Sequence, residues 1–251
     1  MNLHVATYNI HKGFSQFNRR MMVRELRERL QLIAADIIFL QEVQGEHHHH
    51  ASSFEDWPEE PQYEFLADQV WNDYAYGRNA VYDHGHHGNA ILSRFPIRTV
   101  ANRDVSNHPF EQRGLLHCEI EVPEVGKPVH AVCVHLSLHE RGRRRQLETL
   151  SDHLASLVAP SDPLIVAGDF NDWRHAASRS LSASLGLQEV SIESSGRPAR
   201  TFPSLLPLLR LDRIYVRGFG VSAARAHRGQ PWSLLSDHLA LSADIALPKR
   251  A

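Results

Sequence analysis

The sequence predicts a mixed α/β sandwich, and three features of its patterning carry that prediction. Short, wholly apolar runs such as Ile37 to Leu40 and Leu164 to Ala167 have no polar face, so they are strands buried on both sides. Between them lie segments with apolar residues three and four apart, the spacing of a helix laid on a sheet. Two strand-like runs, 115–122 and 129–136, flank the polar loop 123–128 and form a β-hairpin, which argues against a purely parallel doubly wound sheet.

The chain has 251 residues, 42% hydrophobic and 22% charged, which is ample material for a core and is read as one domain spanning residues 1–251. Lys plus Arg number 27 and Asp plus Glu 29, a net charge of −2 that sets up no global field for a polyanion. Nucleic acid is therefore a possible partner but not a favoured one. The N-terminus lacks a basic leader followed by a long apolar run, and no stretch reaches the roughly 18 apolar residues of a membrane span. The expectation is a cytoplasmic monomer. Its two cysteines, Cys118 and Cys133, are expected as buried free thiols in a reducing compartment.

Taken in order, Leu3 to Tyr8 is a strand ending in the polar break Asn9-Ile10-His11-Lys12-Gly13. Asn18 is positioned to cap a helix whose apolar stripe is Met22, Val23, Leu26, Leu30 and Ile33. Ile37 to Leu40 is the next strand and ends at Glu42. Residues 44–62 are polar and broken by prolines. For the run His47 to His50 within them, and for His84, His86 and His87, a solvated loop is the first reading and a metal cluster the second, since no cysteine or ordered spacing accompanies either. Tyr63 to Tyr76 is a helix followed by a strand, and His84 to Asn89 is a glycine-rich turn leading into the strand Ala90 to Ser93.

In the hairpin, pairing Val122 with Val129 puts Cys118 opposite Cys133. Leu116, Cys118, Ile120 and Val122 then share a buried face with Val129, Ala131, Cys133 and His135, whereas His117, Glu119 and His130 lie on the other face. Arg141 to Arg145, with four arginines, opens a helix whose apolar positions are Leu147, Leu150, Leu154 and Leu157. It is the only dense basic cluster in the linear sequence; a solvated face and an anion-facing role both remain open for it. Pro163 to Trp173 is the stretch on which the function turns. Its strand closes at Gly168-Asp169-Phe170-Asn171, with Asp169 and Asn171 two apart and so aimed together while Phe170 packs the other way. Ala176 to Leu185 is a short helix, Ser191 to Pro203 a loop, Leu211 to Val216 a strand carrying Asp212, and Asp237-His238 opens a last strand running through Ile245.

Asn9, Glu42, His135, Asp169, Asn171, Asp212, Asp237 and His238 all stand at the ends of apolar runs. Carboxylates gathered at one sheet edge repel one another, and a bound cation is the simplest way to hold them. Oxygen donors without cysteine favour a hard ion, Mg²⁺ or Mn²⁺.

In order, Thr7-Tyr8-Asn9-Ile10, Gln41-Glu42-Val43, Gly88-Asn89-Ala90-Ile91-Leu92-Ser93, Gly168-Asp169-Phe170-Asn171, Leu211-Asp212-Arg213-Ile214 and Ser236-Asp237-His238 resemble the motifs of the endonuclease/exonuclease/phosphatase superfamily, over a span from residue 3 to about 246. The resemblance implies the fold of pancreatic deoxyribonuclease, two packed mixed sheets flanked by helices in four layers. It implies Glu42 as principal metal ligand with Asn9 and Asp237 nearby, and Asp169 as the group that orients or deprotonates the attacking water, with Asn171 as its partner at the phosphate. It implies His238 on a phosphate oxygen, oriented and kept protonated by Asp212. His135 stands where the abasic-site nucleases carry a tyrosine, which weighs against DNA repair.

The expected activity is divalent-metal-dependent hydrolysis of a phosphoester, a small or lipid-derived phosphodiester in the first instance. A DNA or RNA nuclease is the alternative within the same chemistry, and a catalytically inactive binding protein of the same fold is the alternative outside it. The loops 44–62, 78–88, 103–113 and 222–235 are expected to choose the substrate. Asn89, Arg113 and Trp173 are candidate substrate contacts, and Phe110, Trp173 and Trp232 are candidate receivers of an apolar or ring-bearing group. Asp169 and His238 are expected at the surface of a cleft.

Overall fold

The computed structural model describes residues 1–47, 54, 57–108, 111–123, 125–174 and 176–247. His48 to His50 and Phe110 therefore lie outside the described residues. Among the described residues, twelve strands form two six-stranded sheets. The first has the order β11 (Gly220–Ala226), β12 (Leu241–Ala246), β1 (Asn2–Asn9), β2 (Ile37–His47), β4 (Gly85–Ser93), β3 (Asp73–Tyr82). The second runs β5 (Ile97–Asp104), β6 (Gly114–Ile120), β7 (Val129–His135), β8 (Leu164–Asp169), β10 (Asp212–Arg217), β9 (Gln188–Glu189). Each sheet mixes parallel and antiparallel pairs: β1 with β2 and β7 with β8 are parallel, and the other pairs are antiparallel.

Side-chain alternation divides each central strand between two cores. Leu3 and Val5 of β1, Ile37 and Phe39 of β2, Cys133 of β7, Ile165 and Ala167 of β8, Ile214 of β10 and Leu241 of β12 point between the sheets into one apolar layer. The intervening residues point outward. Ala6, Tyr8, Ile38 and Leu40 pack under α1 (Val23–Ile33) and α2 (Gln62–Ala67), through Leu26, Leu30 and Phe65. Val132, Val134, Leu164 and Val166 pack under α3 (Glu140–Leu157) and α4 (Ala176–Leu185), through Leu150, Leu154 and Leu181. The result is the four-layer sandwich expected, and strands apolar on both faces are what such layering requires.

Several local expectations give way. The hairpin pairs Ile120 with Val129, so Cys118 faces Ala131 and Leu116 faces Cys133. A slip of two residues keeps every side chain on its face, which is why the apolar pattern does not fix it. Both thiols are free and buried. Met22 rather than Asn18 precedes the first turn of α1. β2 continues to His47, and His86 and His87 belong to β4 rather than to a turn, paired across to Val81 and Ala80. The edge strands β5 and β11 are absent from the sequence reading because they are largely exposed and show no apolar alternation. Val190–Ser195 is a helix, α5, capped by the Glu189 carboxylate on the Ile192 amide at 2.7 Å. A last short helix, α6, spans Trp232–Leu235, and Leu157 at the end of α3 is exposed. Among the described residues no helix is long and apolar enough to cross a membrane.

Candidate active site

The strand parity that builds the central core also builds the site. On β1, β4, β7, β8 and β10 the inward positions beyond the apolar layer are Asn9, Asn89, His135, Asp169 and Asp212. Register brings three of them side by side. His135 pairs with Asp169 across β7 and β8, and Asp212 pairs with Asp169 across β8 and β10. Gly168 permits the close approach of β8 to β7; its φ is 147°, and a Cβ there would collide with the Val134 carbonyl.

Glu42 reaches the same end by a different device. Between Leu40 opposite Ala90 and Val43 opposite Gly88, two residues of β2 face one of β4, and Glu42 takes a left-handed φ of 57°. The bulge brings Glu42 Oε1 to 3.5 Å from Asn9 Nδ2, which donates at 3.2 Å to Asp169 Oδ2 as well.

The two Asp169 oxygens have separate surroundings. Oδ1 accepts the Asn171 amide at 2.9 Å, whereas Oδ2 faces Asn9, His135 Nε2 at 3.6 Å and His238 Nε2 at 3.7 Å. Asn171 is therefore not a second strand residue on the Asp169 face. It sits beyond the strand at φ 49°, closing an Asp-Asn turn, and its side-chain amide donates to the Leu136 carbonyl at 2.9 Å. Phe170 packs away from the site, into the core under α4. His238 Nδ1 meets Asp212 Oδ2 at 2.9 Å, and the Phe202 ring lies 4.9 Å from the imidazole. Asp169 and His238 are buried, not at a cleft surface as the sequence suggests, and Asp212 is buried with them.

Burial and charge drive the two histidines apart. For His238, burial disfavours the cation, but the Asp212 and Asp169 carboxylates outweigh it and raise its pKa to about 10. For His135, burial and the nearby Arg113 and His238 cations push the pKa well below the ordinary value, so it is neutral. Burial raises Asp169 to about 6 against the opposing pull of His238, with Asp212 adding to the rise. Glu42 is also opposed by burial, yet Lys12, His11, His87 and His238 hold its pKa below the usual range.

Of the remaining candidates, Arg113 is near enough to act on His135, whereas Trp173 and Trp232 pack against residues outside this centre. Asp237 Oδ1 pairs with His11 Nδ1 at 3.3 Å. Asn89 donates to the Gly114 and Cys133 carbonyls, and its buried Oδ1 has no partner among the described residues. Arg113 donates from Nε to the Leu136 carbonyl at 3.3 Å. Trp173 is exposed and carries the Arg143 guanidinium 4.5 Å above its ring, while Trp232 is a packing residue against Tyr8 and His227. The sequence reading misses His11, Lys12 and His87 around Glu42, and Ser236, whose Oγ donates to the Asn9 carbonyl at 2.7 Å. The first two sit in the polar break after β1, in a 3-10 turn with left-handed φ values of 47° and 57°.

The model of the endonuclease/exonuclease/phosphatase family matches residues 6–238. The chain belongs to the endonuclease/exonuclease/phosphatase family. Its members are generally phosphoester hydrolases that use divalent metals. The uncharacterized protein YbhP of Escherichia coli (strain K12) is 52% identical over 243 residues, covering 97% of this chain and 96% of its own. Solved structures share the fold at lower identity. The endonuclease/exonuclease/phosphatase from Beutenbergia cavernae DSM 12333 superposes with a TM-score of 0.77 at 19% identity, over 98% of this chain and 72% of that one. The Bacteroides thetaiotaomicron VPI-5482 mannosyl-6-phosphatase Bt3783 gives 0.73 at 18%, over 98% and 100%. TDP2 of D. rerio, solved with single strand DNA product, gives 0.69 at 17%, over 98% and 99%.

As to a metal, no three His, Cys, Asp or Glu side chains converge in a metal-binding group among the described residues. What does converge is one ionised carboxylate, Glu42, and one amide, Asn9. That sparse oxygen set fits an ion that keeps most of its water and takes substrate oxygens, as Mg²⁺ does, and not a caged zinc.

Proposed function

We propose that this family member is a Mg²⁺- or Mn²⁺-dependent phosphodiesterase acting in the cytoplasm on a small or lipid-derived phosphoester, by in-line attack of water. The observation that carries the proposal is the asymmetric Asp169 carboxylate, one oxygen anchored by the Asn171 amide and the other facing Asn9, His135 and His238. A carboxylate fixed in this way, with a pKa of about 6, is ionised at neutral pH yet still basic enough to accept a proton from water.

In this mechanism Asp169 Oδ2 holds the water and takes its proton as the water oxygen bonds to phosphorus and the ester P–O bond breaks. Protonated His238, kept charged by Asp212, neutralises the charge that builds on the phosphoryl oxygens. Neutral His135 offers a hydrogen bond without competing for the Asp169 proton. Asn9 ties the Asp169 carboxylate to Glu42, so the water and the ion would be held in one frame. Glu42 and Asn9 would hold the ion, with Asp237 at the rim. When bound, a divalent ion supplies charge neutralisation at the phosphoryl and leaving oxygens.

A nuclease is the second reading, favoured by the likeness to TDP2 with its single strand DNA product. A non-catalytic binding protein has no evident use for a buried His238–Asp212 pair aimed at an activated carboxylate. The deciding experiment is a panel of phosphomonoesters, small phosphodiesters, dispersed phospholipid, and plasmid, single-stranded and abasic DNA, assayed under one Mg²⁺ and salt condition. A clear kcat/KM preference for a small or lipid phosphodiester supports the proposal, and a preference for any DNA or for monoesters overturns its substrate half. Loss of all turnover in every arm would overturn the catalytic half.

A further inference from the structure

Residues 200–210 fold back on themselves beside the site. Thr201 and Phe202 donate their amides to the Leu209 carbonyl, Leu208 and Leu209 donate back to the Phe202 carbonyl, and Phe202 pairs with Leu209 in a single bridge. The segment is thus a small hairpin with Arg200 and Arg210 at its base. Its far end is apolar and uncovered. Leu205, Leu206, Leu208 and Leu209 are between 39% and 66% exposed. α6 adds exposed Leu234 beside them, since Ser204 Oγ ties the hairpin to the Ser233 and Ser236 carbonyls at 3.1 and 2.7 Å. Scattered exposed leucines are ordinary, but this many on one projection mark a contact surface.

The base of the same hairpin is strongly basic. Arg197, Arg200, Arg210, Arg225 and Arg228 line a cavity of 520 Å³ between α5 and β11. No carboxylate lines it, and none of the five is ion-paired among the described residues. Elsewhere arginines have acidic partners, as in Arg20 with Glu25, Arg27 with Asp68, and Arg174 with Glu140. Arg210 Nε is buried with no hydrogen-bond partner. Burial and the neighbouring Arg200, Arg213 and Arg197 cations pull its pKa down, the mark of positive charge gathered without a counter-ion.

We propose that this face docks on an anionic phospholipid surface, with the arginine cavity holding phosphate headgroups and the leucine tip entering the acyl boundary. A nucleic acid would answer the arginines and leave the leucines in water; an apolar protein partner would answer the leucines and leave the charge unpaired. A bilayer of anionic lipid supplies both, headgroup phosphates in one layer and hydrocarbon in the next, and its field acts on a local basic patch despite the net charge of −2. The Phe202 ring at the hairpin base lies against His238, so docking sets the catalytic end at the lipid surface. The inference deepens the lipid-phosphoester reading and rests on it for its purpose, but docking itself is measurable with catalysis disabled.

The test is co-sedimentation with vesicles of phosphatidylcholine alone or mixed with phosphatidylglycerol, in chelator at low and high salt. The wild-type protein is expected to bind the mixed vesicles, to bind pure phosphatidylcholine at least about tenfold more weakly, and to lose affinity with salt. Leu206→Ser with Leu208→Ser is expected to weaken binding on the order of tenfold or more, since two partly inserted leucines are lost. Arg197→Gln with Arg225→Gln is expected to do the same on mixed vesicles only. Both pairs lie on the surface, and an unchanged melting temperature shows that they fold. Asp169→Asn, which disables the base but keeps the side-chain shape, is expected to bind vesicles as the wild type does, which separates failure of docking from failure of the hydrolytic reading. Three results would overturn the proposal: no preference for phosphatidylglycerol, vesicle binding indifferent to both surface pairs, or tighter binding of a short single-stranded oligonucleotide than of mixed vesicles.

Discussion

Replacing Asp212 by Asn removes a charge and keeps the shape, and its consequences can be worked from one contact. Asp212 Oδ2 and His238 Nδ1 are 2.9 Å apart and both residues are buried. A hydrogen bond to a charged partner contributes about 1.5–3 kcal/mol net. At about 1.4 kcal/mol per pKa unit, its loss lowers the His238 pKa by roughly one to two units, from about 10 to roughly 8–9. If protonated His238 is needed for turnover, activity falls as pH rises through the folded pKa. The alkaline limb of the kcat/KM profile in Asp212→Asn should therefore move down by about one to two units.

The same shift has a stability consequence whose sign is fixed. The folded pKa of His238 lies above its ordinary value of 6.5. Its contribution to stability is therefore complete below that value and is lost as pH rises through about 10. The deficit of Asp212→Asn should be largest near pH 6, about 1.5–3 kcal/mol, and shrink toward pH 10. Urea unfolding across that range and NMR titration of the His238 ring check it without any assay of turnover. An alkaline limb and a ring titration both unmoved in Asp212→Asn would refute the electrostatic role, whatever the variant does to rate.

Three further outcomes are expected. Asp169→Asn should lower kcat at least about a hundredfold, and the wild-type acid limb should fall near pH 6, because a base must be deprotonated and this one is held at about 6; a limb near pH 4 would reassign the base. Chelation should abolish hydrolysis and Mg²⁺ or Mn²⁺ restore it, with Glu42→Gln requiring more of either ion; full activity in excess chelator would remove the ion from the mechanism. Leu150→Ala, on the buried face of α3 in the outer core, should cost about 2–5 kcal/mol in urea unfolding and leave kcat unchanged; a coupled loss of kcat in the folded variant would mean that α3 transmits to the site.

Strand parity made most of the site legible in advance. Once Ile165 and Ala167 are assigned to the central layer, Asp169 must face it too, and the same count from Ile214, Cys133 and Val5 delivers Asp212, His135 and Asn9. Parity fails wherever the backbone breaks step. Glu42 arrives through a bulge, which simple alternation cannot anticipate, and Asn171 lies past the strand end in a turn. Edge strands β5 and β11 were illegible for a related reason: with little apolar surface to bury, they carry no alternation to read.

Charge was the property that linear sequence represented least well. Arg141 to Arg145 looks like the one basic patch, but successive helix residues are splayed around the axis. Arg143 turns inward to the Ser137 and Leu138 carbonyls, Arg144 lies 3.9 Å from Glu148, and Arg174 answers Glu140 in the same region. The cluster without carboxylate partners is assembled from positions 197, 200, 210, 225 and 228, each unremarkable where it stands in the chain. The absence of a dense basic run therefore cannot by itself argue against an anionic partner. What decides between a lipid surface and a nucleic acid is the company those arginines keep, and here it is a tip of exposed leucine rather than stacking aromatic rings.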